Sequence, residues 1–487
     1  MPPDPAGLNE NRYKWKALLT VALGAAMATM DASIINIAFP VLTRVFEADL
    51  TVVVWVTIGF ILISTSSMLI IGKISDVIGR KRIYAMGMAV FTLGLLACSM
   101  ARSVEQLILF RCFQALGAAM SVSTSTAIVT EAFPHNEVGR GLGFLGMSVS
   151  VGFIIGPILG GFLLDWLDWR SIFYVRAPIG FVGFALALFL LKKDRPRTRD
   201  IQPDLAGTLT SSGGIFLFAF GVSRIREYGL SSPGVYGIVG MGLACLLLFV
   251  WVETRARNPI VDLTLFQNPV FSRNIWAYFL VFVAAPPFIL IMPFYLIQGH
   301  GFSPSKAGML MAVTSVVTLG AGPLSGTLSD RFKTFKFAAL GAGVIGSAYG
   351  IMLSFDLHTP VPMVASVLVL LGMGIGSFHP PNNSLIMSSV DKDHLGTASA
   401  LIATYRQVGI LVGMAVTSTL FSARAALHQE VFLSRGLPQA GARSLAIPPA
   451  FHEVLYLGIA LQALAFLLSV TGGKRSGVGG QETPTPE

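Results

Sequence analysis

Apolar runs long enough to cross a bilayer recur along most of the chain, separated by short polar turns that collect the basic residues. A hydrocarbon core of about 30 Å needs roughly 20 apolar residues of helix. Runs of that kind fall at 17–41, 52–71, 83–101, 106–128, 141–163, 172–191, 205–222, 235–252, 273–297, 307–326, 337–355, 362–387, 398–422 and 453–471. The pattern predicts an all-α polytopic membrane protein with fourteen spans. Ser, Gly and Thr dilute the seventh run, and the Pro286–Pro287 pair interrupts the ninth. Residues 423–452 are too long for a turn and are expected outside the bilayer, where a short amphipathic helix could lie on the outer surface.

The basic residues orient these spans. With the N-terminus inside, 22 Lys and Arg fall on the cytoplasmic side, 10 fall outside, and two, Arg111 and Arg406, lie within spans. Cytoplasmic loops carry such an excess, and an even span number places both termini in the cytoplasm. Residues 1–16 are expected to be a polar cytoplasmic tail before a retained first helix rather than a signal peptide. Residues 472–487 are Gly- and Pro-rich and are expected to be a disordered cytoplasmic tail.

Composition narrows the function classes. The chain is 53% hydrophobic and 12% charged, about half the charged share of a soluble domain. Its basic residues sit between apolar runs instead of forming a patch, which argues against nucleic acid. Cys98, Cys112 and Cys245 all fall in apolar stretches without metal-ligand spacing. The chain has no Gly-rich phosphate loop ending in Lys-Ser or Lys-Thr, and no segment long enough for a nucleotide domain or a soluble enzyme.

Two turns share a pattern. GKISDVIGRKR (72–82) follows the second run and GTLSDRF (326–332) the tenth, each with a Gly, three residues, an Asp and then basic residues. Gly permits close helix approach, the Asp can cap the next helix, and the cations hold the turn at the inner face. Two copies, each after the second helix of a six-helix set, indicate an internal duplication. Their offset of 254 residues leaves room for two extra spans between the halves.

With these turns the chain resembles the major facilitator superfamily, and within it the fourteen-span drug/proton antiporters of the EmrB/QacA group. Five further segments carry the resemblance: MDASIINIAFP (30–40), RCFQALGAA (111–119), GFIIGPILGG (152–161), DWRSIFYVRAPIG (168–180) and NPIVDLTLFQNPVF (258–271). Val77 stands where a basic residue is usual, Ala115 where Gly is common, and Arg176 where Asn is usual. The resemblance implies a major facilitator fold of two six-helix bundles plus two additional helices. The bundles would be 17–191 and 272–471, with a linker and the extra spans at 192–271. It further implies gating roles for Gly72, Asp76, Gly79, Arg80 and Lys81, and for Asp330 and Arg331 in the second copy. The antiporter motif of Gly152, Gly156, Pro157, Gly160 and Gly161 is implied to lie where the halves meet and to seal against leak.

Asp31 is the carboxylate these spans place deep in the bilayer, about 22 Å beyond Lys16 at 1.5 Å per residue. Such a group costs several kcal/mol unless a proton, water or a partner relieves it. Burial favours the neutral acid, which would let Asp31 load and release protons near cellular pH, and a nearby cation favours the carboxylate. Arg111 stands at a similar depth. Two readings follow: an Asp31–Arg111 pair that forms and breaks with the transport cycle, or a permanent pair that joins spans one and four.

Arg406 is open between an anion-binding role and bonding to backbone carbonyls. His379, Asn382 and Asn383 surround Pro380–Pro381, where a broken helix would free backbone groups to line a cavity. His379 either titrates or packs. Asn36, Gln114, Tyr405 and Gln407 complete the cavity candidates, and 18 Met and 34 Phe suit either a hydrophobic cargo or ordinary lipid-facing packing.

The leading expectation is a proton-coupled exporter of hydrophobic or amphipathic small molecules, working by alternating access in the cytoplasmic membrane and probing many substrates as a multidrug pump does. It would need no cofactor or metal, drawing on the proton gradient. Its partners would be its cargo, protons and lipid, with adaptor and outer-membrane proteins added in a two-membrane cell. The rivals are a narrow exporter or flippase of one metabolite or lipid, and a non-transporting membrane sensor.

Overall fold

A computed structural model describes residues 5–134, 137–192, 205–229, 232–255, 263–332, 336–391 and 394–472. Among them there are helices and no strands. The first set is α1 (Pro5–Val45), α2 (Trp55–Ile78), α3 (Arg80–Ser99), α4 (Val104–Ala132), α5 (Val138–Trp166) and α6 (Ala177–Leu190). A hairpin of α7 (Leu205–Tyr228) and α8 (Pro233–Glu253) follows. The last set is α9 (Pro269–Val283), α10 (Pro304–Phe332), α11 (Lys336–Met352), α12 (Val361–Ser388), α13 (Leu395–Ser434) and α14 (Gln439–Gly472).

Local chemistry starts and bends these helices. Ser103 caps α4 by accepting from the Gln106 amide at 3.3 Å. Asn268 accepts from the amides of Val270 and Phe271, and Pro269 opens α9 where no amide partner is needed. Beyond α9 the same span runs to Gly299 through π-helical turns at Pro287–Ile291 and Tyr295–Gly299. Pro286, Pro287 and Pro293 lack amide protons, so the backbone ladder shifts register there rather than stopping.

The packing repeats itself. In the first set α1 packs on α4, α5 and α6, α4 on α2 and α3, and α3 on α6. In the last set α9 packs on α12, α13 and α14, α12 on α10 and α11, and α11 on α14. Each pair returns eight helices later, as two copies of one bundle require. The bundles meet chiefly through α5 against α10 and α2 against α13, which are again equivalent pairs. The hairpin stands beside α2 and α13, with α7 touching both.

Three sequence expectations change. Thirteen helices among the described residues are long and apolar enough to cross a membrane; α11, matching the run at 337–355, has only 17 residues. Residues 423–452 are not a loop with a surface-lying helix. They continue α13 and α14, of 40 and 34 residues, which are joined by a turn at 435–438 containing Gly436 at φ 81°. Glu453 ties this extension together, at 2.7 Å from Arg424 and 2.8 Å from His428. Helix also replaces tail at the start, since α1 begins at Pro5; the tail at 473–487 lies outside the described residues.

Candidate functional site

A cavity of about 2350 Å³ lies between the bundles. It reaches the end of the molecule that carries Gly72, Ser75 and Arg80. The opposite end is closed by α5 and α10. There a Cβ on Gly161 would strike Pro304 and Ser305, and one on Gly308 would strike the Pro157 carbonyl. The Ser305 amide donates to Asp165 Oδ2 at 2.9 Å, and Gln298 Nε2 donates to the Pro40 carbonyl at 3.1 Å.

Asp31 is fully buried in the first bundle, held by two guanidiniums. Arg111 reaches its Oδ2 at 2.6 Å and Arg176 its Oδ1 at 2.6 Å. Gln114 donates to Oδ1 at 3.1 Å and accepts from Arg111 at 2.9 Å. Arg111 also donates to the Val56 carbonyl and lies over the Phe60 ring at 4.3 Å. Arg176 donates back to the Ile172 carbonyl. The cluster therefore joins α1, α4 and the start of α6 and holds one more cation than anion. Arg111 lines the cavity, with Asp31 behind it.

The glycine stripe of α5 sets how close α1 can come. A Cβ on Gly152 would meet Thr29 and the Ala26 carbonyl, one on Gly156 would meet Ser33, and one on Gly160 would meet Ile34. Ser33 donates across this seam to the Gly152 carbonyl at 3.3 Å. The same stretch thus packs Asp31's helix on one side and, through Pro157 and Gly161, the second bundle on the other.

The second bundle supplies an aromatic wall. Tyr278, Phe282 and His379 cluster with ring centroids 4.9 Å apart for Phe282–His379 and 5.5 Å for Tyr278–His379. Trp276 and Phe279 hold Tyr405 at 5.6 and 5.8 Å. Asn383, Arg406 and Gln407 line the cavity beside them.

With this geometry in view, the comparisons with known proteins decide the family. The model of the Major Facilitator Superfamily matches residues 21–414. The chain belongs to this superfamily. The riboflavin transporter RibZ of Clostridioides difficile is 30% identical over 427 residues, covering 86% of this chain and 91% of that protein. The multidrug resistance protein Stp of Mycobacterium tuberculosis H37Rv is 31% identical over 433 residues, covering 88% and 80%. The crystal structure of a bacterial homologue of the human lysosomal transporter Spinster, inward-facing and unoccupied, aligns with a TM-score of 0.70 at 17% identity, over 96% of this chain and 99% of that one. The last likeness concerns fold alone. As a major facilitator protein the chain is a multi-pass membrane transporter.

Several candidates take other places than expected for a major facilitator cavity. Gln114 is buried against Asp31 instead of facing the cavity. Asn382 is also buried, donating to the Asn274 carbonyl at 3.3 Å. α12 is unbroken through Pro380 and Pro381, and the Gly376 carbonyl that Pro380 leaves without its helical donor accepts from Ser325 at 2.8 Å. Asn36, His379 and Tyr405 do line it. In the turn expected to gate, Gly79 takes φ 115°, a conformation that disfavours any side chain. Arg80 pairs with Glu131 at 2.8 Å, and Lys81 donates to the carbonyls of Leu188 and Leu191. Arg331 is exposed at the end of α10, and the side chains of Asp76 and Asp330 lie outside the described residues. Arg176 was missed: counted with the outer cations, it is fully buried. Its position inside the apolar run 172–191 was the available signal.

Proposed function

We propose that this transporter is a proton-coupled exporter of hydrophobic or amphipathic small molecules, of the fourteen-span EmrB/QacA type, with α11 as the fourteenth span. The observation that carries this is a buried carboxylate bound by two guanidiniums, one of which lines the cavity between the bundles. Protonating Asp31 removes the charge that holds Arg111 and Arg176 to α1. Losing the proton restores it. A cluster with two stable arrangements can in this way bias the rocking of the bundles. By the positive-inside count the cavity opens to the cytoplasm, both termini are cytoplasmic, and the site is the cytoplasmic membrane. No cofactor enters; the proton gradient is the energy source. In a two-membrane cell an adaptor and outer-membrane partner would continue the path.

The test is transport in reconstituted vesicles with the Asp31→Asn variant. The expected result is loss of export driven by a pH gradient, with substrate exchange retained when no gradient is imposed. Asp31→Asn/Arg176→Gln guards against a folding failure by removing one of the two cations the Asn leaves unpaired. Full gradient-driven export by either variant would remove Asp31 from the coupling.

A narrower transporter of one metabolite is the second reading, favoured by the 30% identity to a riboflavin transporter. A panel of unrelated scaffolds separates the two, since acceptance of a single scaffold selects the narrow one.

A further inference from the structure

The charge on the cavity wall is one-sided. Arg80, Arg111 and Arg406 line it, and none of the described lining residues is an Asp or Glu. Two of these cations already hold carboxylates: Glu131 for Arg80 and Asp31 for Arg111. Arg406 is exposed to the cavity and has no hydrogen-bond or carboxylate partner among the described residues. It follows Tyr405, whose ring packs on Trp276 and Phe279, which places it beside the aromatic wall. Two acceptors in the same bundle complete the set. Gln462 Oε1, on a side chain 1% exposed, and Asn383 Oδ1 both lack a hydrogen-bond partner among the described residues, and both residues line the cavity.

We infer that this wall binds a planar aromatic anion carrying an N–H or O–H donor, with the Arg406 guanidinium as its counter-ion. The inference rests on the export reading for the cavity's role and goes beyond it by setting the class of cargo. Each part of the ligand answers a group on the wall. A guanidinium presents a planar fork that matches a carboxylate or a similar oxyanion, and a charge-assisted bond is about twice as strong as a neutral one. Tyr278, Phe282, Trp276 and Tyr405 offer ring faces and edges to an aromatic body. A donor on the ligand satisfies a buried amide oxygen that is otherwise costly to leave unpaired. A cationic cargo of the same shape would find no carboxylate counter-ion among the described lining residues.

The experiment compares two xanthene dyes, anionic fluorescein and a cationic methyl-ester rhodamine, binding to the full chain in nanodiscs at equilibrium without a gradient. Dye anisotropy and quenching of tryptophan emission report binding. The wild type is expected to favour fluorescein by about tenfold or more, the scale of one charged hydrogen bond. Arg406→Gln should erase that preference by weakening fluorescein without weakening rhodamine, and Arg406→Lys should restore part of it. Equal binding of the two dyes by wild type, binding of neither, or undiminished fluorescein binding by Arg406→Gln overturns the inference. Because no gradient is used, failure of proton coupling leaves this result standing, and failure here leaves Asp31's role intact.

Discussion

At the residue scale, the site is organised by unequal charge: two guanidiniums on one carboxylate, all three groups buried. Losing the anion strands two cations, whereas losing one cation leaves a one-to-one pair. Removing a partner from a buried pair costs about 3–5 kcal/mol, and replacing charge by packed apolar bulk is often neutral or better. Thermal unfolding in nanodiscs should therefore show Asp31→Asn strongly destabilised and Arg176→Met at or above wild type. An Arg176→Met variant that unfolds as readily as Asp31→Asn would contradict this ordering. The sequence made Asp31 and Arg111 legible because each is a lone charge within an apolar run. Arg176 was harder to place. It stands near the start of its run, where Asp168, Arg170 and Ser171 make the chain read as an outer turn. The fold sets it at the N-cap of α6, where its side chain is buried against Asp31.

At the element scale, α5 divides into two stretches of glycine with opposite demands. A Cβ on Gly143 or Gly146 meets nothing, while one on Gly156 meets Ser33 and the Met30 carbonyl. Gly156→Val is expected to force α1 and α5 apart at about 1–3 kcal/mol or more and to abolish transport. Gly143→Ala should leave transport intact and stabilise the helix by about 0.5–1 kcal/mol. Unfolding and vesicle transport measured on both variants check the contrast; equal behaviour would argue against close approach as the motif's role. Spacing of the glycines marked this stripe in advance, because a four-residue repeat puts them on one helix face. The course of α12 and of 423–452 was not marked. Prolines 380 and 381 suggested a break, yet α12 runs through them, and Ser325 of α10 donates to the Gly376 carbonyl that Pro380 leaves free. The polar composition of 423–452 reads as loop although its residues extend two helices past the apolar runs.

At the scale of the whole molecule, two equivalent bundles share a cavity that is sealed at one end by α5 and α10. Alternating access requires that seal to part. Cysteines at Asp165 and Ser305, whose side chain and amide already meet at 2.9 Å, should lock it when bridged. Asp165→Cys/Ser305→Cys is expected to lose transport on oxidation and recover it with reductant; unimpaired transport by the bridged form would show that the seal stays shut throughout the cycle. The duplication was visible in the paired turns after α2 and α10, since chemistry repeats where packing repeats. The place of α7 and α8 was not, as nothing in an apolar run says which neighbour it meets. Hydroxyls stitch this hairpin to both sides: Ser212 meets Ser66 at 2.7 Å, Trp55 donates to Ser223 at 3.3 Å, and Thr419 donates to the Val222 carbonyl at 3.3 Å. Thr208, Ser211 and Phe218 also face the cavity, so the hairpin forms part of its flank. If the bundles rock as proposed, a strut fastened to both must slip along one of them. Small hydroxyl groups can trade one oxygen for the next at little net cost, and so hydroxyl contacts of this kind suit a join that has to be remade when the bundles shift.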